Sequence, residues 1–383
     1  MSELVNYLNN ASSAIMSEST LRVYTQYLNL EAQSGASAAA AAYRDDLESF
    51  YTKASQALGT VDESQIAFVD SASRAWDAIL YGLKIGRGDE ILTLSSEFGT
   101  NLVSIYHFAE KSGCRVKIVD CDINGVFSLE NIKAKITPAT KVIALSHVAA
   151  HGSIINPVEA IGQIARDQSI FYLVDGCQAV GQIPVNVHEI QCDAYTGTGR
   201  KWIRGPRGTG FLYSRHNEIL ATPFVDLASA DLNFSADESV SGVVVREDAR
   251  QFELWERNAA GQVALANALS ELQIALADGN VSKIYEHGSL LREEVDRLPH
   301  LRRIGTASNT GNVAIVADSD SVSQRCKEVL TNAGVSYSAM QEWDAPIFYR
   351  QHGIREVIRL SPHYFTSIDE IEAARVALKQ AVV

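Results

Sequence analysis

One lysine sits in the stretch TGTGRKWIRGPRGTG, residues 196–210, among five glycines and three arginines. Two chemistries suit such a loop: a flexible cationic segment that grips an anion through its charges and backbone amides, or a catalytic amine, Lys201, whose neighbours hold a cofactor. Deciding between them needs the other polar residues that follow strand-like runs, because ligands of open α/β sheets bind at the carboxyl ends of the strands. Four such clusters occur. Ser71 to Arg74 follow IAFV and open a helix, Ser146 to His151 follow KVIAL, Asp175 and Gln178 follow IFYLV, and Thr198 to Lys201 lie between two strand signals.

Each cluster asks for a different part of a ligand. A helix opening at Ser73 offers unpaired amides and the positive end of its dipole to a phosphate, and the hydroxyl of Thr198 with the guanidinium of Arg200 would complete its coordination. Asp175, an acid at a buried strand end, would keep a heterocyclic nitrogen protonated, while Lys201 would form an imine with an aldehyde. Phosphate, protonated ring nitrogen and aldehyde together describe pyridoxal 5′-phosphate. In this reading Lys201 is the Schiff-base lysine. His147 and His151 follow a strand, where a histidine is commonly structural, and Cys177 is expected to turn a packed thiol away from the site.

The elements that must position these residues are legible as a pattern. From about residue 64 to 215, the short runs QIAFV, EILTL, CRVKIVD, KVIALSH, IFYLVD and GTGFLYS alternate with SRAWDAILYGL, NLVSIYHFAEK, LENIKAKI and VEAIGQIARDQ, whose apolar residues recur every three to four positions. Such alternation predicts an α/β domain with a largely parallel sheet. A long amphipathic segment, 258–279, leads into a less regular last third. The expected division is a large domain over 16–259 and a smaller α+β domain formed by 1–15 and 260–383. The 383 residues suffice for both.

Bulk properties narrow the function. The net charge of −13 disfavours nucleic acid and anionic membranes as partners, and no run of about 18 apolar residues is present to span a bilayer. MSELVNYLNNASS lacks the basic start and apolar stretch of a secretory signal, so a cytoplasmic protein is expected. Five cysteines without a C-x-x-C pair argue for reduced thiols and no metal site.

VDGCQAVGQIPV followed by DAYTGTGRKWIRGPRGTGFLY resembles the cofactor signature of class V, fold type I pyridoxal-phosphate enzymes, the group that holds cysteine desulfurases, isopenicillin N epimerase-like proteins and ergothioneine C–S lyases. YLNNASS, FVDSASRAW, SHVAAHGSIINPV, REDARQFELWERN and VIRLSPHYFTS extend the resemblance over most of the chain. It implies a mainly parallel sheet of the seven-stranded type, a homodimer, Lys201 on the cofactor aldehyde, Asp175 on the pyridine nitrogen and Gln178 on the ring hydroxyl. Ala72, Ser73, the amide of Arg74, Thr198 and Arg200 would hold the phosphate, and Phe98 would stack on the ring where desulfurases carry a histidine. Arg359 would clamp a substrate carboxylate, with Asn10, His151 and Trp255 also on the substrate side. REDARQFELWERN is most similar to the ergothioneine lyase and epimerase-like branch. Glu256 replaces a hydroxyl residue of desulfurases and receives no role. The stretch 336–350 before Arg359 has no cysteine, so the sulfur-accepting nucleophile of a desulfurase is absent. The activity implied is β-elimination from a cysteine conjugate or its sulfoxide. Transamination, epimerisation and a cofactor-binding scaffold without turnover stay open as alternatives.

Overall fold

The computed structural model describes residues 6–306 and 309–382; the first residues of the N-terminal arm, 1–5, lie outside the described residues. Seven strands form the main sheet: β1 (Ile66–Val69), β2 (Glu90–Leu94), β3 (Arg115–Val119), β4 (Thr140–Ser146), β5 (Phe171–Asp175), β6 (Ala194–Thr198) and β7 (Gly210–Ser214). Their spatial order is β1-β7-β6-β5-β4-β2-β3. The pairs from β6 across to β3 are parallel, and β7 runs antiparallel to both of its neighbours. Chain order reverses between β2 and β4, which opens a crevice beside the ends of β2, β4 and β5. β6, with the sequence AYTGT, is a strand that the alternation of apolar runs does not announce. It lies between β5 and β7 with Tyr195 and Thr196 fully buried; its tyrosine and threonines suit a strand, but it lacks the aliphatic run that marks the others.

Helices cover the faces of this sheet as the periodicity predicts. Ala72–Gly82 starts after the N-cap Ser71, and Gly99–Ser112 ends on Gly113 in the left-handed region, φ 79°. The segment expected to be amphipathic, Ala259–Ala277, is buried on most of its circumference, because helices Glu18–Ser34 and Arg44–Ala57 pack on one side while Leu265, Ala266 and Leu269 enter the main core. A helix apolar on all sides is an interior helix. It is still not among the described helices able to cross a membrane, of which there are none.

A second, four-stranded antiparallel sheet follows: β8 (Leu301–Ile304), β9 (Val313–Ala317), β10 (Ser338–Gln341) and β11 (Glu356–Leu360), in the order β8-β9-β11-β10. Helices Ser282–Arg297, Asp320–Asn332 and Ile368–Ala381 pack against it. The N-terminal arm joins this side: Asn6 and Tyr7 pair in parallel with Val335 and Ser336, and Asn10 then runs along Ser361 at the end of β11.

Gly162 lets the helix Val158–Asp167 approach the turn Val187–Ile190, since a Cβ there would lie 1.8 Å from the carbonyl oxygen of Ile190. Backbone cannot yield as a flexible side chain does, so Gly162→Ala should destabilise the protein by about 1–3 kcal/mol, measured as a lower urea midpoint at unchanged slope. An unchanged midpoint would contradict this packing.

Candidate active site

The carboxyl ends of β1, β2, β4, β5 and β6 converge on a solvent-open cleft with about 650 Å³ of empty space, lined by Ser71, Ala72, Ser73, Phe98, Asn101, Ser146, Asp175, Cys177, Gln178, Thr198, Arg200 and Lys201. All four clusters singled out in the sequence thus contribute to one cavity. Asp175 is the last residue of β5 and 7% exposed. Its Oδ1 accepts from the amide of Cys177 at 2.8 Å and its Oδ2 from Nδ2 of Asn101 at 2.9 Å. Lys201 follows β6, and burial is the main influence on its ammonium, pushing it below the ordinary lysine range, with Cys177 and Asp175 pulling it back up. Gln178 is tethered at both ends of its amide: Nε2 donates to the carbonyl of Ala11 at 3.0 Å, and Oε1 accepts from the Trp202 indole at 2.8 Å.

At the other end of the cleft the helix Ala72–Gly82 presents its first turn. The N-cap is Ser71 and not Ser73: the Ser71 hydroxyl accepts from the amide of Arg74 at 3.2 Å, while Ser73 lies one residue inside the helix and faces the cleft. The expectation that the Arg74 amide holds the phosphate meets a competitor here. The amide is already engaged, and the guanidinium points to a separate groove, 4.0 Å from Asp70 and over the ring of Phe224. Thr198 and half-buried Arg200 stay with Ser73 in the cleft. Cys177 also lines it, contrary to the expectation of a thiol turned away, and burial pushes this thiol well above its ordinary range, with Asp175 adding to the effect.

Arg359, His151 and Asn10 do not line this cleft; they lie behind it, with Arg359 of β11 reaching its lining at Ala150. Arg359 is buried, donates to the carbonyl of Ala150 at 2.6 Å and to the hydroxyl of Ser12 at 2.8 Å, and has no hydrogen-bond partner at Nε. Burial lowers its pKa to about 10. His151 is fully buried beside it with both ring nitrogens unpartnered, and burial holds the imidazole neutral, at about 3. Asn10 donates to Ser361 but leaves its carbonyl oxygen unpartnered. Trp255, 69% exposed and donating its amide to Asp226, does not reach the cleft of its own chain. His147 is occupied structurally, its Nδ1 meeting the Tyr195 hydroxyl at 2.9 Å.

The model of the aminotransferase class V family matches residues 6–374. The chain belongs to that family. It is 27% identical over 325 residues to a probable cysteine desulfurase of Xylella fastidiosa, covering 84% of this chain and 77% of that protein. Its fold matches the apo cysteine desulfurase of Thermococcus onnurineus NA1 with a TM-score of 0.89 at 22% identity, covering 99% and 94% of the two chains. It also matches the cystine C–S lyase C-DES with a TM-score of 0.84 at 22% identity, covering 97% of each.

Pyridoxal phosphate is the cofactor that goes with this family, and the residues of the cleft fit it. A buried amine, a carboxylate held by two donors, a cation beside an open helix start, and, behind the cleft, a buried guanidinium with a donor to spare are the groups its aldehyde, ring nitrogen, phosphate and amino-acid partner call for. Two residues of this class V site escaped the reading of the sequence. Glu97 and Asn101 lie in SSEFGTN, where the resemblance points only to the ring-stacking position, Phe98; a polar pair four residues apart just beyond a strand end is the available signal. Glu97 is buried, which pushes its carboxyl up to about 7, although the hydroxyl of Ser146 draws it down. Nearby, Trp343 and Pro346 close over Gly99, where a Cβ would meet the carbonyl oxygen of Trp343 at 1.8 Å.

Buried titratable groups give the site a pH signature. His147, His151 and His363 are each pushed to about 3 by burial, and His363 has both nitrogens committed, Nδ1 to the amide of Tyr364 and Nε2 to the carbonyl of Trp202. Between pH 3 and 6.5 the unfolded chain therefore binds protons at these residues that the native state refuses, so their contribution to stability rises with pH across that window. Glu97, raised from 4.5 to about 7, and Asp193 and Glu253, also raised by burial, act in the opposite sense, so the imidazole contribution is read from the difference between the protein and a histidine variant. As pH is lowered from 6.5 to 5, the difference in thermal midpoint between the protein and His363→Gln should move in favour of the variant. A difference that stays constant or moves the other way over this interval would contradict the buried neutral imidazole.

Proposed function

We propose that this enzyme is a C–S β-lyase acting on an amino acid whose β-carbon carries sulfur, a cysteine conjugate or its sulfoxide, releasing pyruvate, ammonia and a thiol or sulfenate. Bound pyridoxal phosphate supplies a sink for the electron pair left on the α-carbon when its proton departs. Lys201 would hold the cofactor aldehyde through Nζ, and its amine would take the substrate α-proton. Burial favours its neutral amine, the form that can do both. Asp175 would keep the proton on the ring nitrogen, Gln178 would meet the ring hydroxyl, and Phe98 would pack on the ring. The first turn at Ala72 and Ser73, together with Thr198 and Arg200, holds the phosphate. Arg359 receives the substrate carboxylate with its unpartnered Nε and the fork beside it. Asn10 and His151 flank that carboxylate, and the neutral imidazole adds no charge to compete with the guanidinium.

The observation that carries the lyase over the desulfurase reading is the segment in front of Arg359. Residues 336–350 contain no cysteine, so no thiol stands where resemblance to desulfurases would require a sulfur acceptor. Cys177 is in the cleft, but its raised pKa leaves little thiolate to attack sulfur. A second copy of the chain is part of the proposal, with Trp255 and the neighbouring hairpin reaching toward the other subunit. The hairpin of Ala230–Phe234 and Val240–Val245 supports it by leaving Leu232, Phe234, Val240, Val243 and Val244 more than half exposed.

Incubation with a panel of S-substituted cysteines and their sulfoxides should yield equal amounts of pyruvate and released thiol or sulfenate. Alanine with protein-bound sulfur would identify a desulfurase, conversion of the cofactor to its pyridoxamine form a transaminase, and inverted substrate carrying solvent deuterium an epimerase; each would overturn the lyase. Light scattering should report a dimer, and a stable active monomer would contradict the second copy.

A further inference from the structure

The roles given to Lys201, Asp175 and Arg359 leave two deeply buried polar residues unused. Glu97 is 1% exposed, and Asn101, in the first turn of the helix Gly99–Ser112, is 4% exposed. Nδ2 of Asn101 donates at 2.9 Å to Glu97 Oε1 and at 2.9 Å to Asp175 Oδ2. A side-chain amide can be turned either way, but both neighbours here are carboxylate oxygens at hydrogen-bond distance. The nitrogen, with two protons to give, is the atom that satisfies both. Glu97 is fixed in turn by donors from two elements: the amide of Ser146 at 2.7 Å and its hydroxyl at 2.5 Å, from the end of β4, and the amide of Phe98 at 2.9 Å.

We propose that Asn101 is a positioning residue that aims the Asp175 carboxylate, with Glu97 as the anchor that holds the Asn101 amide in its working orientation. The inference rests on the reading of Asp175 as partner of the cofactor ring nitrogen. The physical need is plain. Asp175 ends a strand and, on its own side of the crevice, is met among the described residues only by Cys177, through the amide at Oδ1 and through the thiol, so nothing from the facing wall fixes its plane except Asn101. That donor at Oδ2 fixes the direction in which the carboxylate presents a lone pair. Two buried acids near one another also repel, and the shared NH₂ group places positive charge density between them. Glu97 touches neither cofactor nor substrate in this scheme, and neither does Asn101 need to: both act through Asp175.

The test uses the full-length protein stripped of cofactor and titrated with pyridoxal phosphate. Asn101→Ala should weaken cofactor binding about tenfold, the size of one hydrogen bond to a charged group. It should also move the visible absorption of the bound cofactor in the direction that Asp175→Asn moves it, while the far-ultraviolet circular dichroism stays that of the parent. Asn101→Ser, whose hydroxyl has one proton to give to only one of the two acids, should fall between, and it carries the test if the alanine variant does not fold. Parent-like affinity and spectrum in the Asn101 variants, with Asp175→Asn changed in both, would overturn the positioning role and leave the Asp175 reading standing. Parent-like behaviour of Asp175→Asn itself would overturn that reading, and this inference with it.

Discussion

A carboxylate brought under cover at the end of a β-strand must be met by donors or it destabilises the fold that buries it. Asp175 is that carboxylate, and much of the site can be derived from how it is met. The amide two residues on, in the turn after β5, supplies one donor, and the first turn of a helix on the other side of the crevice supplies the second. Lys201 adds a nearby amine from just past the end of the adjacent strand β6. These groups are brought together by parallel strands, which place their carboxyl ends side by side, and by the reversal of strand order that keeps β2 and β4 from filling the crevice with a connection.

The second sheet contributes through one side chain. Arg359 stands in β11 between Ala314 and Ser338 of its neighbours and sends its guanidinium across to Ala150 and Ser12. The N-terminal arm is pinned in the same place, since Ala11 receives Gln178 and Asn10 lies on Ser361. The two sheets and the arm therefore meet at the point where a substrate carboxylate would sit. Nε of Arg359 and both ring nitrogens of His151 are left without hydrogen-bond partners there.

Residues whose role follows from standing after a strand were legible in the sequence. Asp175, Lys201, Ser73 and Thr198 each follow a strand or lie at its last position, and topology alone carries such positions to one edge of the sheet. What depends on a cap or on the direction of a side chain was not. The Arg74 amide is taken up by the Ser71 cap, and Cys177, read as a thiol packed away from the site, lines the cleft. The helix Ala259–Ala277 was expected to show water one face, but helices from the first 60 residues cover it, a pairing that no local period encodes. β6 carries no Val, Ile, Leu or Phe, so the apolar run that announces the other strands is absent, although its tyrosine and threonines suit a strand once neighbours on both sides complete its ladder. Glu97 and Asn101 were passed over for a related reason: their partners are remote in sequence, at Ser146 and Asp175.

The central claim is that the amine at position 201 is the one the cofactor bonds. Borohydride reduction of the protein loaded with pyridoxal phosphate, followed by digestion and peptide mass mapping, tests it most directly. The account predicts a single reduced pyridoxyl adduct, on Lys201. An adduct on any other lysine, or cofactor bound with no adduct at all, would contradict it.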